Sequence, residues 1–521
     1  MPRSVKRLRL TIPIAAAVAA IAVAGCGSDE EGTDAGAASI APASTPLYVD
    51  AVLKPEGGAR EDAEAALGTI LGTDDPGAVA IQEVEKQAAA DGADFDYERD
   101  IEPWIGETFS VFLTTIGGDS SESQGAYAFE TSDPDKALEF FSEADSLTGE
   151  TAEYEGVEYS FDDEGDVLGR IDDFIVGGDE SAFKAAVDAA DGDNLADTSE
   201  FEDGVGELSD DRLATLYVPP QQFLDALPED ELDAQSRDLL EESLGDAAQD
   251  PVLGEVTASS SDVTLEFSAG GGDVETAASA LLPELPGGSW LGVGFADIGA
   301  AVQRGLESVG ESGAGIDAET IRQQLQSRVG IDLQTEVIDA LGDAGLYVQG
   351  TTIDDLAGGL VIQSKDPSAS AGLINKLQGL ISQQTSPRDA RVQPLASAGG
   401  DQGFQVVDPS GEVPQPIQVV QRDDKIVVGY GPQAVDQALA GGETLSANPA
   451  FGTAEEAVGD FGVDAFISFA PVFQLAEAAG AGSDPSFQAA KPYFDRLSFL
   501  ASGSGTEDDR TVARVVIGLQ E

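Results

Sequence analysis

Phe95-Asp96-Tyr97, then Ile101, then Trp104-Ile105-Gly106 returns later in the chain as Ile331-Asp332-Leu333, Val337 and Ala340-Leu341-Gly342, at one constant offset. Apolar class is kept at each paired position, and the Asp and Gly recur unchanged. Further matches follow in the same order. Tyr127 and Phe129 alternate with small residues ahead of Ser132-Asp133-Pro134, as Leu360 and Ile362 do ahead of Ser364-Lys365-Asp366-Pro367. Asp172-Asp173-Phe174-Ile175-Val176 is matched by Asp423-Asp424-Lys425-Ile426-Val427, and Leu213 to Pro220 by Asp464 to Pro471. An Asp followed by Pro opens a helix well: the carboxylate accepts unpaired N–H groups and proline has none to waste. Self-similarity on this scale indicates an internal duplication.

Period-2 alternation predicts strands near 47–53, 108–115, 125–130, 155–160, 166–177, 213–218, 253–259 and 262–268. Helices are predicted near 60–72, 78–90, 134–144, 180–190 and 220–246. Short polar connections such as Asp162-Asp163-Glu164-Gly165 are hairpin turns, so most strands pair antiparallel. The resulting fold class is α+β: two tandem related domains, each a mainly antiparallel sheet with helices packed on one side. The domains are assigned to 47–270 and 283–521, separated by a Gly- and Pro-rich boundary near Gly270 to Gly288. Ser/Gln/Gly-rich residues from Gly379 to Gln402 are read as an inserted loop.

The N-terminus has a different character. Arg3, Lys6, Arg7 and Arg9 precede an apolar run from Ile14 to Ala24, shorter than the roughly 20 residues needed to span a bilayer. A basic n-region, a short apolar h-region and small residues mark a signal peptide, assigned to 1–25. The run ends in Val23-Ala24-Gly25-Cys26, similar to a bacterial lipobox, and Cys26 is the only cysteine of the chain. Cys26 is therefore the expected lipid-attachment site, with Val23, Ala24 and Gly25 completing the lipobox. Gly27 to Pro46, small and polar without aromatics, is expected to form, with Cys26, a disordered tether over 26–46. Such a linker reaches roughly 25 Å.

Composition excludes whole classes of function. The chain has 521 residues with 97 Asp+Glu against 26 Lys+Arg, a formal net charge of −71, and no histidine. So acidic a surface repels phosphate backbones, so no nucleic-acid partner is expected. Without histidine there is no Ser-His-Asp or Cys-His catalysis and no His-ligated metal. Asp91, Asp94, Asp96 and Asp100 form one acidic cluster, and Asp188, Asp191, Asp193 and Asp197 another. Neither has the spacing of a calcium loop. Asp96 and Asp332 are read as helix caps, and no metal or other cofactor is expected. Trp104, Trp290, Tyr127, Phe129, Phe140 and Phe141 are read as core, with a pocket lining as the alternative.

Leu47-Tyr48-Val49-Asp50-Ala51 soon after a lipobox, Lys54-Pro55-Glu56-Gly57, and Asp96-Tyr97 running into Asp100-Ile101-Glu102-Pro103-Trp104-Ile105-Gly106-Glu107 complete a pattern. It resembles bacterial, actinobacterial-type lipoproteins carrying domain of unknown function 3352. The resemblance implies architecture and envelope location and supplies no catalytic residue. Where Pro103 and Trp104 stand in the first copy, the second has Asp339 and Ala340.

The expectation is a lipid-anchored protein on the extracytoplasmic face of the cell membrane, acting as a non-enzymatic binding or structural module. Its partners would be the membrane, through the N-terminal lipid, and an envelope protein or apolar ligand. Two alternatives stay open: a carrier of an apolar or lipid ligand between sheet and helices, and a carboxylate-dependent hydrolase.

Overall fold

A computed structural model describes residues 36–91, 96–118, 123–144, 147–228, 237, 240, 244–271, 278–311, 318–386, 390–396 and 401–520. The chain divides into two compact units. One runs to Val274 and includes Thr506–Ala513; the other comprises Glu275–Gly505 and Arg514–Gln520.

The first unit is built on ten strands: β1 (Leu47–Val52), β2 (Ile105–Thr115), β3 (Gln124–Thr131), β4 (Thr151–Tyr154), β5 (Val157–Phe161), β6 (Val167–Ile171), β7 (Phe174–Gly178), β8 (Ala214–Val218), β9 (Val252–Ala258) and β10 (Asp262–Gly270). They lie in the order 4-5-6-7-3-2-1-8-9-10, every neighbouring pair antiparallel. The second unit holds β11 (Ser289–Phe295), β12 (Leu341–Gln349), β13 (Ala357–Ser364), β14 (Arg391–Ala396), β15 (Gln402–Val407), β16 (Ile417–Arg422), β17 (Lys425–Tyr430), β18 (Ala465–Ser468), β19 (Leu497–Glu507) and most of β20 (Arg510–Leu519). Its order is 14-15-16-17-13-12-11-18-19, and β20 pairs with β19. Strand for strand, this connectivity is the same as that of the first unit.

The α+β class with a large antiparallel sheet holds, but the helices are not confined to one side. In the first unit Tyr48, Phe112, Ala128 and Val176 pack under the helix Glu180–Ala190, through Ala182, Phe183 and Ala186. Residues of opposite parity, Phe129, Leu168 and Ile175, pack on the other face with Trp104 and with Phe141 of the helix Pro134–Ala144. The second unit repeats this. Tyr347, Val361 and Val427 meet the helices Pro432–Ala440 and Pro449–Val458, while Leu341 and Ile426 meet Ile374 of the helix Pro367–Gln384. Consecutive apolar residues in β7 already carry the reason: Phe174, Ile175 and Val176 are all buried, which requires cover on both faces.

Four local boundaries also differ from the sequence expectation. The long strand at 166–177 is a hairpin, β6 and β7, turned at Asp172, whose φ is +50°. The strand expected at 155–160 is β5, and an unexpected strand, β4, precedes it across a turn at Glu155, φ +49°. The helix begun at Pro220 ends at Ala226, and within the stretch taken as an inserted loop lie the end of a helix, at Gln384, and β14.

The largest correction concerns residues 36–46, expected to belong to a disordered tether. Gly36–Ser39 form a 3-10 turn, and Ala37, Ala38, Ile40 and Ala41 are at most 1% exposed. Small apolar residues lacking aromatics resemble a linker in composition, yet they are what fits a narrow gap between a sheet and its covering helix. This lead-in is fixed by Leu195, whose N–H donates to Ala41 O at 2.8 Å, and by a bridge between Pro42 and Asn194. The second unit has an equivalent at Ser279–Pro286: Leu445 N–H donates to Leu285 O at 2.7 Å, and Pro286 bridges Thr444.

Candidate functional site

Cys26, Val23, Ala24 and Gly25, together with the signal peptide of 1–25 and the tether as far as residue 35, lie outside the described residues. Among the described residues no helix is long and apolar enough to cross a membrane.

Of the acidic residues singled out from the sequence, Asp94 lies outside the described residues, and Asp96, Asp100, Asp188 and Asp197 act locally. Asp96 accepts from Arg99 N–H at 3.1 Å, while Asp100 accepts from Asp96 N–H at 2.9 Å. Asp332 and Glu336 make the same reciprocal cap, at 3.1 and 2.9 Å. Asp188 accepts from the Tyr154 hydroxyl and Asp197 from the Asn194 amide, both at 3.1 Å. Among the described residues no group of three or more Asp, Glu or Cys is placed to hold a metal ion. An open cleft of about 580 Å³ lies beside the helices Gly57–Leu71 and Pro76–Asp91, lined by Arg60, Glu64, Asp75, Glu85, Asp96 and Glu98. Arg60 is already paired with Glu64 at 2.8 Å, which leaves the cleft strongly acidic.

The aromatic residues are largely core. Trp104 is 2% exposed, its ring centroid 5.4 Å from Phe141 and 5.6 Å from Phe140. Its Nε1–H donates to Asp100 O at 2.5 Å, and its own carbonyl accepts from the Thr131 hydroxyl at 2.7 Å. Trp290 is half-buried and donates to Gly350 O at 2.8 Å.

Two arrangements do more than hold the fold. The first is an apolar band on the sheet face opposite each lead-in. In the first unit Val49 sits between Val111 and Leu216. In the second, Leu291 neighbours Val348 and Ile467, and Leu346 neighbours Val293 and Leu360. These side chains are half-buried rather than sealed, and at the rim of the second band Leu346 is 38% and Phe295 47% exposed. Alternation made β1 and β8 legible, but how far the helices cover a face is set by their angle and length, which periodicity does not encode.

The second is a polar cluster under the first lead-in. Asp50 stands opposite Ser110 in the β1–β2 register. Its Oδ1 accepts from Ser110 Oγ at 2.5 Å and from the Tyr48 hydroxyl at 3.4 Å. Burial pushes the Asp50 carboxyl up to about 6, against the pull of the Ser110 and Tyr48 hydrogen bonds. Burial also holds the Tyr48 phenol well above its ordinary value. A carboxyl with that proton affinity exchanges its proton near neutral pH, a property often found at functional sites. Here Gly36 closes over it and leaves the carboxyl only partly accessible. The sequence signal was the alternation Tyr48-Val49-Asp50, which places the aspartate on the same face as a core tyrosine.

No curated protein matches the chain. Solved structures that are similar at low identity include two crystal forms of TP0453. Crystal form I of TP0453 matches at 12% identity over 46% of this chain and 79% of that one, with a TM-score of 0.25. Crystal form IV of TP0453 matches at 11% identity over 44% and 79%, with a TM-score of 0.24. The family model described as Protein of unknown function (DUF3352) matches residues 14–396, and the chain belongs to that family.

Proposed function

We propose that this chain is a lipid-anchored protein of the cell envelope, held on the outer face of the cytoplasmic membrane through Cys26. It acts there as a non-enzymatic binding or structural module made of two like units that arose by duplication. The shared strand order and the two equivalent lead-ins support the duplication. The observation that carries the anchor is the placement of the chain's single cysteine directly behind an h-region and a short spacer ahead of the first packed residues. Burying acyl chains contributes about 0.8 kcal/mol per CH₂, so a doubly or triply acylated N-terminus binds stably without a spanning helix. Cys26→Ser is the test. The wild-type protein is expected in the membrane fraction and the variant in the soluble fraction; identical partitioning of the two would remove the anchor.

A second reading, a carrier of an apolar ligand, is favoured by the half-covered apolar band on each sheet. Aliphatic side chains left part-exposed on a broad face stabilise an apolar guest by roughly 25 cal/mol per Å² of area removed from water. Organic extraction of the purified protein followed by mass spectrometry is expected to release a stoichiometric apolar compound. An extract empty of such a compound excludes the carrier and leaves the anchored module.

A further inference from the structure

Gly36–Ala41 lie directly over a carboxyl, that of Asp50; the equivalent segment of the second unit meets a carboxylate only at its start, where Asp343 accepts from Ala280 N–H at 2.8 Å, and its Leu282 and Leu285 pack on glycines. Ala37 N–H donates to Ser110 Oγ at 3.2 Å, and Ser110 Oγ in turn donates to Asp50 at 2.5 Å. The hydroxyl that fastens the lead-in is therefore the one that bonds the carboxylate, and Tyr48 OH lies 3.2 Å from the same oxygen. Gly36, at φ +49°, covers the carboxyl so closely that a Cβ there would run into Asp50 Oδ1 and Tyr48 OH. In the second unit the facing pair is Gly294 and Gly345, packed against Leu282 and Leu285 of its own lead-in.

We propose that Gly36–Ala41 form a strap whose opening is coupled to the ionisation of Asp50: closed in acid, released more readily as the pH rises toward neutrality. Closed, the carboxyl is partly shielded from water and the neutral form is favoured; open, it is hydrated and ionises like an ordinary aspartate. Opening therefore releases a proton between the ordinary carboxylate range and about 6, and rising pH favours the open form across that window. The sign follows from the raised proton affinity of the closed state: the strap's added stability is present in acid and lost as pH rises. The charged and titratable groups facing Asp50 are Tyr48 on its own strand, Arg212, which favours the carboxylate, and Glu130 on β3, which opposes it. Gly36, Ala37, Ala38, Ser39, Ile40 and Ala41 bring no charge.

Release would also lengthen the reach of the body from its anchor, a consequence that rests on lipidation at Cys26; the strap itself does not. At about 3.5 Å per extended residue, a spacer ending at Gly36 reaches at most about 35 Å, and one ending at Pro42 about 55 Å.

Amide hydrogen exchange on the full chain in detergent tests the proposal. The reporters are Ile40 and Ala41, whose N–H groups both donate to Ala37 O, with Leu282 and Leu285 of the second lead-in as internal controls. After correction for intrinsic rates, protection of Ile40 and Ala41 is expected to fall about 25-fold between pH 4.5 and 7.5. Leu282 and Leu285 should stay level, and Asp50→Asn should abolish the fall. A flat wild-type profile overturns the proposal, as does a parallel loss in both lead-ins or an Asp50→Asn variant that keeps the fall. The wild-type comparison between the two lead-ins decides the matter even if the variant does not fold. Cys26→Ser is expected to leave the profile unchanged, so failure of the anchor and failure of the strap are distinguishable.

Discussion

Trp104 and Asp50 occupy adjoining parts of one small domain, yet only the first could be placed from the sequence. A tryptophan between Ile101 and Ile105, downstream of a capped turn, belongs in a core. Ring contacts with Phe129, Phe140 and Phe141 put it there. Trp104→Ala is expected to destabilise the first unit by about 3–5 kcal/mol, read as a lower denaturant midpoint in equilibrium unfolding. Asp50 was legible as a strand residue on the Tyr48 side but not as a covered one, because the element over it was taken for linker. Gly36→Val tests that cover directly. A β-branched residue at φ +49°, pressed against Asp50, strains the backbone and clashes, so the variant is expected to lose exchange protection at Ile40 while the second unit keeps its own.

At the scale of elements, the helix starts were the most readable features because their chemistry is local. Asp366 accepts from Ser368 and Ala369 N–H at 2.9 and 3.0 Å, with Pro367 in the first turn. Asp366→Ala is expected to cost about 1 kcal/mol, measured as a shift in thermal midpoint that Asp366→Asn largely avoids. Hairpins were harder. Asp172 and Asp423 turn their strands at φ of +50° and +51°, a conformation that glycine usually signals and aspartate tolerates. At Asp172, with no glycine as punctuation, two strands read as one. The placement of helices on both sheet faces was hidden for a different reason: an amphipathic helix declares which of its own faces is apolar, not which side of the sheet it will cover.

Across the whole molecule, charge sets the behaviour in solution. A net charge of −71 makes the compact state self-repelling, and salt shortens the range of that repulsion to about 10 Å at 0.1 M. The melting temperature is therefore expected to rise on going from low salt to 0.5 M NaCl; a melting temperature that falls would show that attractive pairs dominate instead. Matching blocks of sequence stand in a fixed order along the chain, and the two units share one strand order. The half-covered apolar bands were not visible, since they depend on how far the helices extend over each sheet.

The most direct test of the account is the intact mass of the protein extracted from membranes in detergent. The expected result is a chain beginning at Cys26 and heavier than its amino-acid sequence by a diacylglyceryl group, with or without a further acyl chain. A mass equal to that of an unmodified polypeptide, or one that begins elsewhere, would contradict it.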